Sequence, residues 1–149
     1  MILCREMQES DIPWIAELEK ENFSIPWSEA SLSKEIYNKN SVFIVAEYEG
    51  NIAGYAGMYL IGTEADITNV VVSRLYRRNG VASAIINKIK DYAKSAQITE
   101  ITLEVRVSNI PAIKLYEKYG FLSEGIRPGF YDFPKEDALI MWNRNISDC

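Results

Sequence analysis

The sequence predicts an α/β (α+β) fold, a mixed, mostly antiparallel sheet of about seven strands flanked by about four helices. Three observations carry this. Three β-rich runs, Ser41 to Tyr48, Ile52 to Leu60 and Glu64 to Val72, follow one another across short glycine-bearing turns, as in an antiparallel meander. Ala82, Ile85, Ile86, Ile89, Tyr92, Ala93 and Ala96 then recur at helical spacing. Glu100 to Val105 reads as a strand again, so the crossover rule returns it in parallel beside 64–72. At 149 residues and 48% apolar content, a single domain over 1–149 with a real core is expected.

The elements follow in order. Ile2 to Met7 reads as a first strand, and Ser10-Asp11 with Pro13 in the first turn marks a helix start, with Ile15 and Leu18 on one face and an end near Asn22. Phe23-Ser24-Ile25-Pro26-Trp27-Ser28 is a proline-broken aromatic elbow, after which Ser28 caps a short helix carrying Leu32 and Ile36. Glu49-Gly50-Asn51 turns the first hairpin, with glycine and asparagine available for positive φ. The long helix spans Gly80 to about Gln97. Ser108-Asn109 and Pro111 open another, with Ala112, Leu115 or Tyr116 and Tyr119 inward and Gly120 as its stop. Phe121 to Arg127 is a strand, Pro128 to Asp137 a loop with Phe130, Tyr131 and Phe133, and Ala138 to Trp142 the closing strand.

Composition removes whole classes of chemistry. The chain has no histidine, which excludes Ser-His-Asp and Cys-His nucleophiles and every histidine-containing metal site, so no metal is expected. Acid–base work must fall to carboxylate, tyrosine, lysine, cysteine or the substrate. The formal charge of −5 argues against direct nucleic-acid binding and suits a basic peptide better. Cys4 and Cys149 lie near opposite ends without paired spacing, as in a reducing compartment. No apolar run approaches the ~18 residues of a membrane span, and the N-terminus lacks a secretory pattern, so a soluble cytoplasmic protein without a membrane partner is expected.

The stretch from Val70, Val71 and Val72 through Arg77, Arg78, Asn79, Gly80, Val81 and Ala82 into Ser83 reads as an anion cradle. A β-branched strand feeds a basic turn and then a helix whose first N–H groups lack intrahelical partners, so a phosphate can sit there and Gly80 lets the backbone approach it. The spacing of lysine and glycines excludes a Walker loop and a dinucleotide fingerprint. Arg-x-x-Gly-x-Ala resembles the Q/R-x-x-G-x-G/A signature with which Gcn5-related N-acetyltransferases hold the pyrophosphate of acetyl-coenzyme A. Ala82 stands for the commoner glycine and Arg77 for the commoner glutamine.

A second resemblance is narrower. Leu103-Glu104-Val105-Arg106-Val107-Ser108-Asn109, followed by Ala112, Leu115-Tyr116 and Gly120-Phe121, is similar to the L-E-V-R-x-S-N…A…L-Y-x-x-x-G-F block of the ribosomal-protein alanine N-acetyltransferases. Phe23…Pro26-Trp27-Ser28, Asn69-Val70-Val71-Val72 and Tyr131…Glu136-Asp137-Ala138-Leu139-Ile140-Met141 agree in order, covering nearly the whole chain. The resemblance implies the acyl-CoA N-acyltransferase fold, acetyl-CoA as cosubstrate, and a protein or peptide N-terminus as partner, with a ribosomal protein's N-terminal alanine as acceptor. It assigns general base to Glu104, general acid to Tyr116, cofactor contact to Asn109, and oxyanion and pantetheine contacts to the strand around Val70, Val71 and Val72.

The residues alone leave alternatives. Glu104 can be a solvated strand carboxylate, Tyr116 helix packing and Asn109 a helix cap, while Glu64 and Asp66, on one face of their strand, are rival bases. Acetylation of lysine side chains or free amines uses the same machinery, and a silent acyl-CoA sensor is the rival that is not an enzyme.

Overall fold

The computed structural model describes residues 1–23 and 25–146; Ser24 of the elbow and Cys149 lie outside them. In chain order the elements are β1 (Ile2–Glu6), α1 (Ile12–Asn22), α2 (Glu29–Ile36), β2 (Ser41–Tyr48), β3 (Asn51–Ile61), β4 (Glu64–Val72), α3 (Val81–Ser95), β5 (Glu100–Arg106), α4 (Ile110–Lys118), β6 (Leu122–Asp132) and β7 (Lys135–Asn143). The strands form one mixed sheet in the order β1-β2-β3-β4-β5-β7-β6. Every neighbouring pair is antiparallel except β4 and β5, which the α3 crossover makes parallel.

Both faces of the sheet are covered. Ile85, Ile86 and Ile89 of α3 pack with Ile101, Leu103, Val105, Tyr116 and Phe121 on one face, and Ile15, Leu18 and Leu32 of the first two helices pack with Phe43, Val45 and Tyr55 on the other. Alternation along β5 therefore sends Ile101, Leu103 and Val105 to the α3 side and Thr102, Glu104 and Arg106 to the α1 side. Ser28 caps α2 by accepting the Ser31 N–H at 3.1 Å, as its sequence position predicts.

The decisive irregularity lies in the middle of the sheet. β4 and β5 pair only from Glu64 with Glu100 to Ile67 with Leu103. Just beyond, Thr68 is an extra residue on β4, since Asn69 and Ile67 oppose the adjacent Gly57 and Met58 of β3. Such a bulge bends the strand that carries it. β4 continues beside β3 to Val72 while β5 runs on beside β7, and the two strands part.

Four expectations change. The stretch 128–137 is not a loop: β6 runs on to Asp132, and Pro128, Gly129 and Phe130 are absorbed in a bulge between Arg127, opposite Ala138, and Tyr131, opposite Glu136. Gly129 sits at φ +61° there and its N–H donates to Asp137 Oδ1 at 2.8 Å, so residues that punctuate a loop are accommodated within the strand. The first hairpin takes its positive φ at Glu49 and Gly50, with Asn51 already paired to Tyr48. Asp11 makes no side-chain cap for α1; Arg5 takes its carboxylate in a two-pronged pair at 2.7 and 2.9 Å. The basic turn contains a short 3-10 segment, Arg74–Tyr76, that no periodicity announces.

Candidate active site

The parting of β4 and β5 opens a cleft of about 610 Å³ bounded by Val70, Val71 and Val72 on one side and by Arg106, Asn109, Ala112 and Tyr116 on the other, with Arg77 and Ala82 at one end and Asn22 and Phe23 at its rim. Ser73 N–H bonds to Ala53 O at 2.7 Å, and the Val71 carbonyl lies so close to β3 that a methyl on Gly54 would meet it at 2.5 Å. Residue alternation then turns the peptide groups of Val71 towards β3 and those of Val70 and Val72 towards the cleft. Arg77 Nε reaches the Val72 carbonyl from the open side at 3.4 Å, which agrees. Two strand N–H donors thus face the cleft with no strand opposite.

At the cradle end, Gly80 occupies the N-cap of α3 at φ +81°, a left-handed conformation that glycine adopts without a Cβ penalty. It brings no capping side chain, so the first-turn N–H groups of Val81, Ala82 and Ser83 are left to water or an anion. Ala82 alone of these lines the cleft; Val81 points into the core. Arg77 is anchored by its Nη2 donating to Asn22 Oδ1 at 2.7 Å. Arg78 is exposed at φ +65°, and Asn79 Nδ2 donates to the Tyr76 and Arg77 carbonyls at 3.1 Å, so these two shape the turn rather than line the cavity. Asn109 does both jobs: it lines the cleft and caps α4 by accepting the Ala112 N–H at 3.3 Å.

Tyr116, 8% exposed, presents its phenol at the cleft wall; burial, with the nearby Tyr131 phenol, pushes it up to about 12. Glu104 is half-buried on the other face of β5 and does not itself line the cavity. Its charge reaches both Tyr131 and Asp66. Of the rival carboxylates, Glu64 is solvent-exposed, whereas Asp66 is half-buried and pushed up to about 6 by burial and then by Glu104, with Arg127 opposing.

A second groove of about 440 Å³ continues from the rim, sharing Asn22, Phe23 and Arg106 and adding Ile25, Phe130, Tyr131, Asp132, Phe133 and Pro134. Arg106 holds the two together. Its guanidinium donates to Pro134 O at 2.8 Å, Phe133 O at 3.2 Å and Glu136 Oε1 at 3.2 Å, and lies 4.3 Å from the Tyr131 ring centre. Glu136 Oε2 in turn accepts the Ser108 N–H at 2.8 Å. The β6–β7 turn is thereby pinned to the mouth of the cleft.

The sheet thus parts just beyond a β4 bulge, with a glycine-capped helix at one end of the opening. Residues 13–121 match the family model described as the acetyltransferase (GNAT) family. The chain belongs to the GNAT family. Among its relatives, a Bacillus subtilis (strain 168) protein provisionally named a [ribosomal protein bS18]-alanine N-acetyltransferase is 36% identical over 93% of this chain and 92% of its own length. The Escherichia coli (strain K12) [ribosomal protein bS18]-alanine N-acetyltransferase is 30% identical over 91% and 92%. The crystal structure of the ribosomal-protein-S18-alanine N-acetyltransferase from Escherichia coli superposes with a TM-score of 0.89 at 28% identity, covering 100% of this chain and 96% of that one. The acyl-CoA N-acyltransferase fold read from the sequence is therefore the fold of this GNAT chain.

Of the expected site residues, this GNAT chain brings Val70, Val71, Val72, Arg77, Ala82, Asn109 and Tyr116 to one cavity and leaves Arg78, Asn79, Gly80, Val81, Ser83 and Glu104 off its walls. Sequence reasoning gave no role to Arg106, although it stands inside the L-E-V-R block, or to Asn22, whose only cue is its place at the helix end. Among the described residues no group of three or more carboxylate or thiol ligands is gathered to hold a metal, and no helix is long and apolar enough to cross a membrane.

Proposed function

We propose that this GNAT chain, acting as one domain over 1–149, transfers acetyl from acetyl-CoA to a protein N-terminal α-amine, with the N-terminal alanine of ribosomal protein bS18 as acceptor. The observation that carries the reading is the split between β4 and β5, which puts two unpaired strand N–H groups and a buried phenol on opposite walls of one cleft. The names of the relatives direct it to the ribosomal acceptor, and such a substrate puts the reaction in the cytoplasm.

The residues suit the cosubstrate. The first-turn N–H groups of α3, with Arg77, would receive the pyrophosphate, Arg78 adding charge to the turn from outside the cavity and Gly80 keeping the mouth clear of a side chain. Peptide groups of Val70 and Val72 would pair with the extended pantetheine arm and offer an N–H to the thioester oxygen as it gains charge. Asn109 keeps its amide N–H₂ free for the cofactor while its Oδ1 caps α4.

An α-amine ionises near 8, so at neutral pH it arrives largely as ammonium and must lose a proton before it attacks. Glu104 accepts that proton, through a water because its carboxylate stands off the cavity wall. Tyr116, held protonated by its burial, donates to the departing thiolate. Phe23, Ile25 and Tyr131 would flank the incoming peptide in the second groove.

The test is acetyl transfer from acetyl-CoA to three acceptors: a peptide beginning with alanine, the same peptide with a blocked N-terminus and an internal lysine, and a free polyamine. The alanine peptide should be acetylated at its α-amine with the highest kcat/KM. Preference for lysine or polyamine would overturn the acceptor and keep the chemistry; no transfer to any amine would return the chain to an acyl-CoA sensor.

A further inference from the structure

Asp66 is a half-buried titratable group for which the reaction above has no use. Its Oδ1 is shut away from solvent and has no hydrogen-bond partner among the described residues. Buried carboxylate oxygens are satisfied as a rule, and an exception in a folded chain asks what donor it is built to meet. Asp66 pairs in register with Thr102, one rung before the β4–β5 ladder ends, and Glu104 lies two residues beyond Thr102 on the same face. Strand spacing and rise put the two Cα atoms about 8 Å apart, a span that two short acidic side chains close with one water between them.

We propose that Asp66 and Glu104 form a single proton-accepting pair at the end of the β4–β5 ladder, bridged by a water that donates to Asp66 Oδ1, with Asp66 a positioning residue that makes Glu104 a stronger base. The proposal rests on the reading of Glu104 as the base. The other groups around Asp66 do not supply the donor. Tyr59, opposite on β3, gives its hydroxyl to Glu35 at 3.1 Å; Glu64 on the same strand is solvated; Arg106 on the same face is engaged with Glu136; Arg127 of β6 acts only as a distant charge.

The chemistry explains the benefit. A lone carboxylate that ionises near 4.3 is a poor match for an ammonium near 8. Two carboxylates sharing a site bind their first proton more tightly, because that proton lowers the pair's charge from −2 to −1. In the reaction two N–H bonds of the ammonium break: the first proton forms an O–H bond within the pair, the nitrogen lone pair attacks the thioester carbon, the C–S bond breaks as the thiolate takes the Tyr116 proton, and the second N–H proton passes from the new amide through solvent to the Tyr116 phenolate. Loss of the pair's proton to solvent then restores both groups, with one proton released per turnover. The raised Asp66 carboxyl, about 6, agrees with a pair of this kind.

Two measurements on the full chain test it. Carboxyl ¹³C resonances of aspartate-labelled protein, titrated without substrate, should show one aspartate with a midpoint near 6 that falls by about one pH unit in Glu104→Gln; a midpoint unmoved by Glu104→Gln overturns the pair. In kinetics with the alanine peptide, Asp66→Asn should lower kcat/KM at pH 7 about tenfold with the KM for acetyl-CoA unchanged, and should cost nothing further in Glu104→Gln. Independent, multiplying losses, or no loss, overturn it. Asp66→Thr, with a β-branched side chain suited to a strand, replaces Asn if that variant does not fold. Failure of wild type to acetylate any peptide would sink the proposed function alone, because the titration needs no acceptor.

Discussion

Asp11 and Asp66 are both aspartates withdrawn from water, and they differ in what meets them. Asp11, 5% exposed, receives Arg5 on both oxygens and the Gln8 N–H at 2.8 Å, and Arg5 also reaches Glu47 at 2.6 Å. The Arg5 pair holds its carboxyl below the usual range. Asp66 has an oxygen that nothing in the described chain satisfies, and burial holds its carboxyl high. The first arrangement ties the start of α1 to β1 and β2. The second sits where the sheet parts and leaves a proton site open. The same residue type thus serves the fold where its partners are complete and serves chemistry where they are not.

The sharpest way to probe the contrast is the carboxylate beside Asp66. Glu104→Gln should lower the acetylation rate at pH 7 by about 10²- to 10³-fold, with partial recovery as pH rises and free amine accumulates. Rate profiles from pH 6 to 9 check this, and a wild-type rate at neutral pH would move the base elsewhere. Next in size is Asp11→Ala. It removes two charge-assisted hydrogen bonds from Arg5, which keeps Glu47 as its counter-charge, and should cost about 2 kcal/mol. Urea melts read it, and a loss below about 1 kcal/mol would reduce Asp11 to a surface ion pair.

The two aspartates also oppose each other in pH. Asp66 binds its proton more tightly folded than unfolded, so stability should rise as pH falls from about 7 towards 4, by about 1–2 kcal/mol after allowance for its partial exposure. Asp11, shifted the other way, contributes stability above the unfolded carboxylate value and loses it as pH falls below that range. Denaturant midpoints across pH 3 to 8 should therefore peak between the windows, and Asp66→Asn should flatten the rise; an unaltered profile would break the comparison. Smallest is Tyr131→Ala, which removes the ring between Arg106 and the second groove. It should raise the peptide KM about fivefold, roughly 1 kcal/mol, and leave acetyl-CoA affinity unchanged by calorimetry. A change confined to melting temperature would make Tyr131 a packing residue only.

Local signals made most of the fold readable. Glycine and proline at helix ends, Ser28 as a cap, and β-branched runs at 41–72 act within a few residues of themselves, and the helix after Gly80 begins where the orphan N–H argument puts it. The rest depends on partners distant in sequence. Pro128 and Gly129 read as a loop because nothing local shows that Asp137 will take the Gly129 N–H and carry the strand across them. Arg106 looks like one more charged strand residue until the 133–136 turn folds against it. The candidate site divides in the same way: the cradle, built of backbone, is visible as a motif, while the place of Glu104 off the cavity wall and the unsatisfied oxygen of Asp66 emerge only from the stacking of strands.

The parting of β4 from β5 also has a mechanical meaning. Among the described residues, four rungs, Glu64 with Glu100 to Ile67 with Leu103, and a bond from the Thr99 N–H to Thr63 O just before them form the backbone seam between a wing of β1–β4 and a wing of β5–β7, so the sheet resembles a book sewn along only part of its spine. An extended ligand lying along Val70 and Val72 supplies missing stitches. Amide exchange at those two residues should slow on ligand binding far more than at Val71, whose N–H is already spoken for by β3, and the wings should become one elastic body only when the cleft is filled.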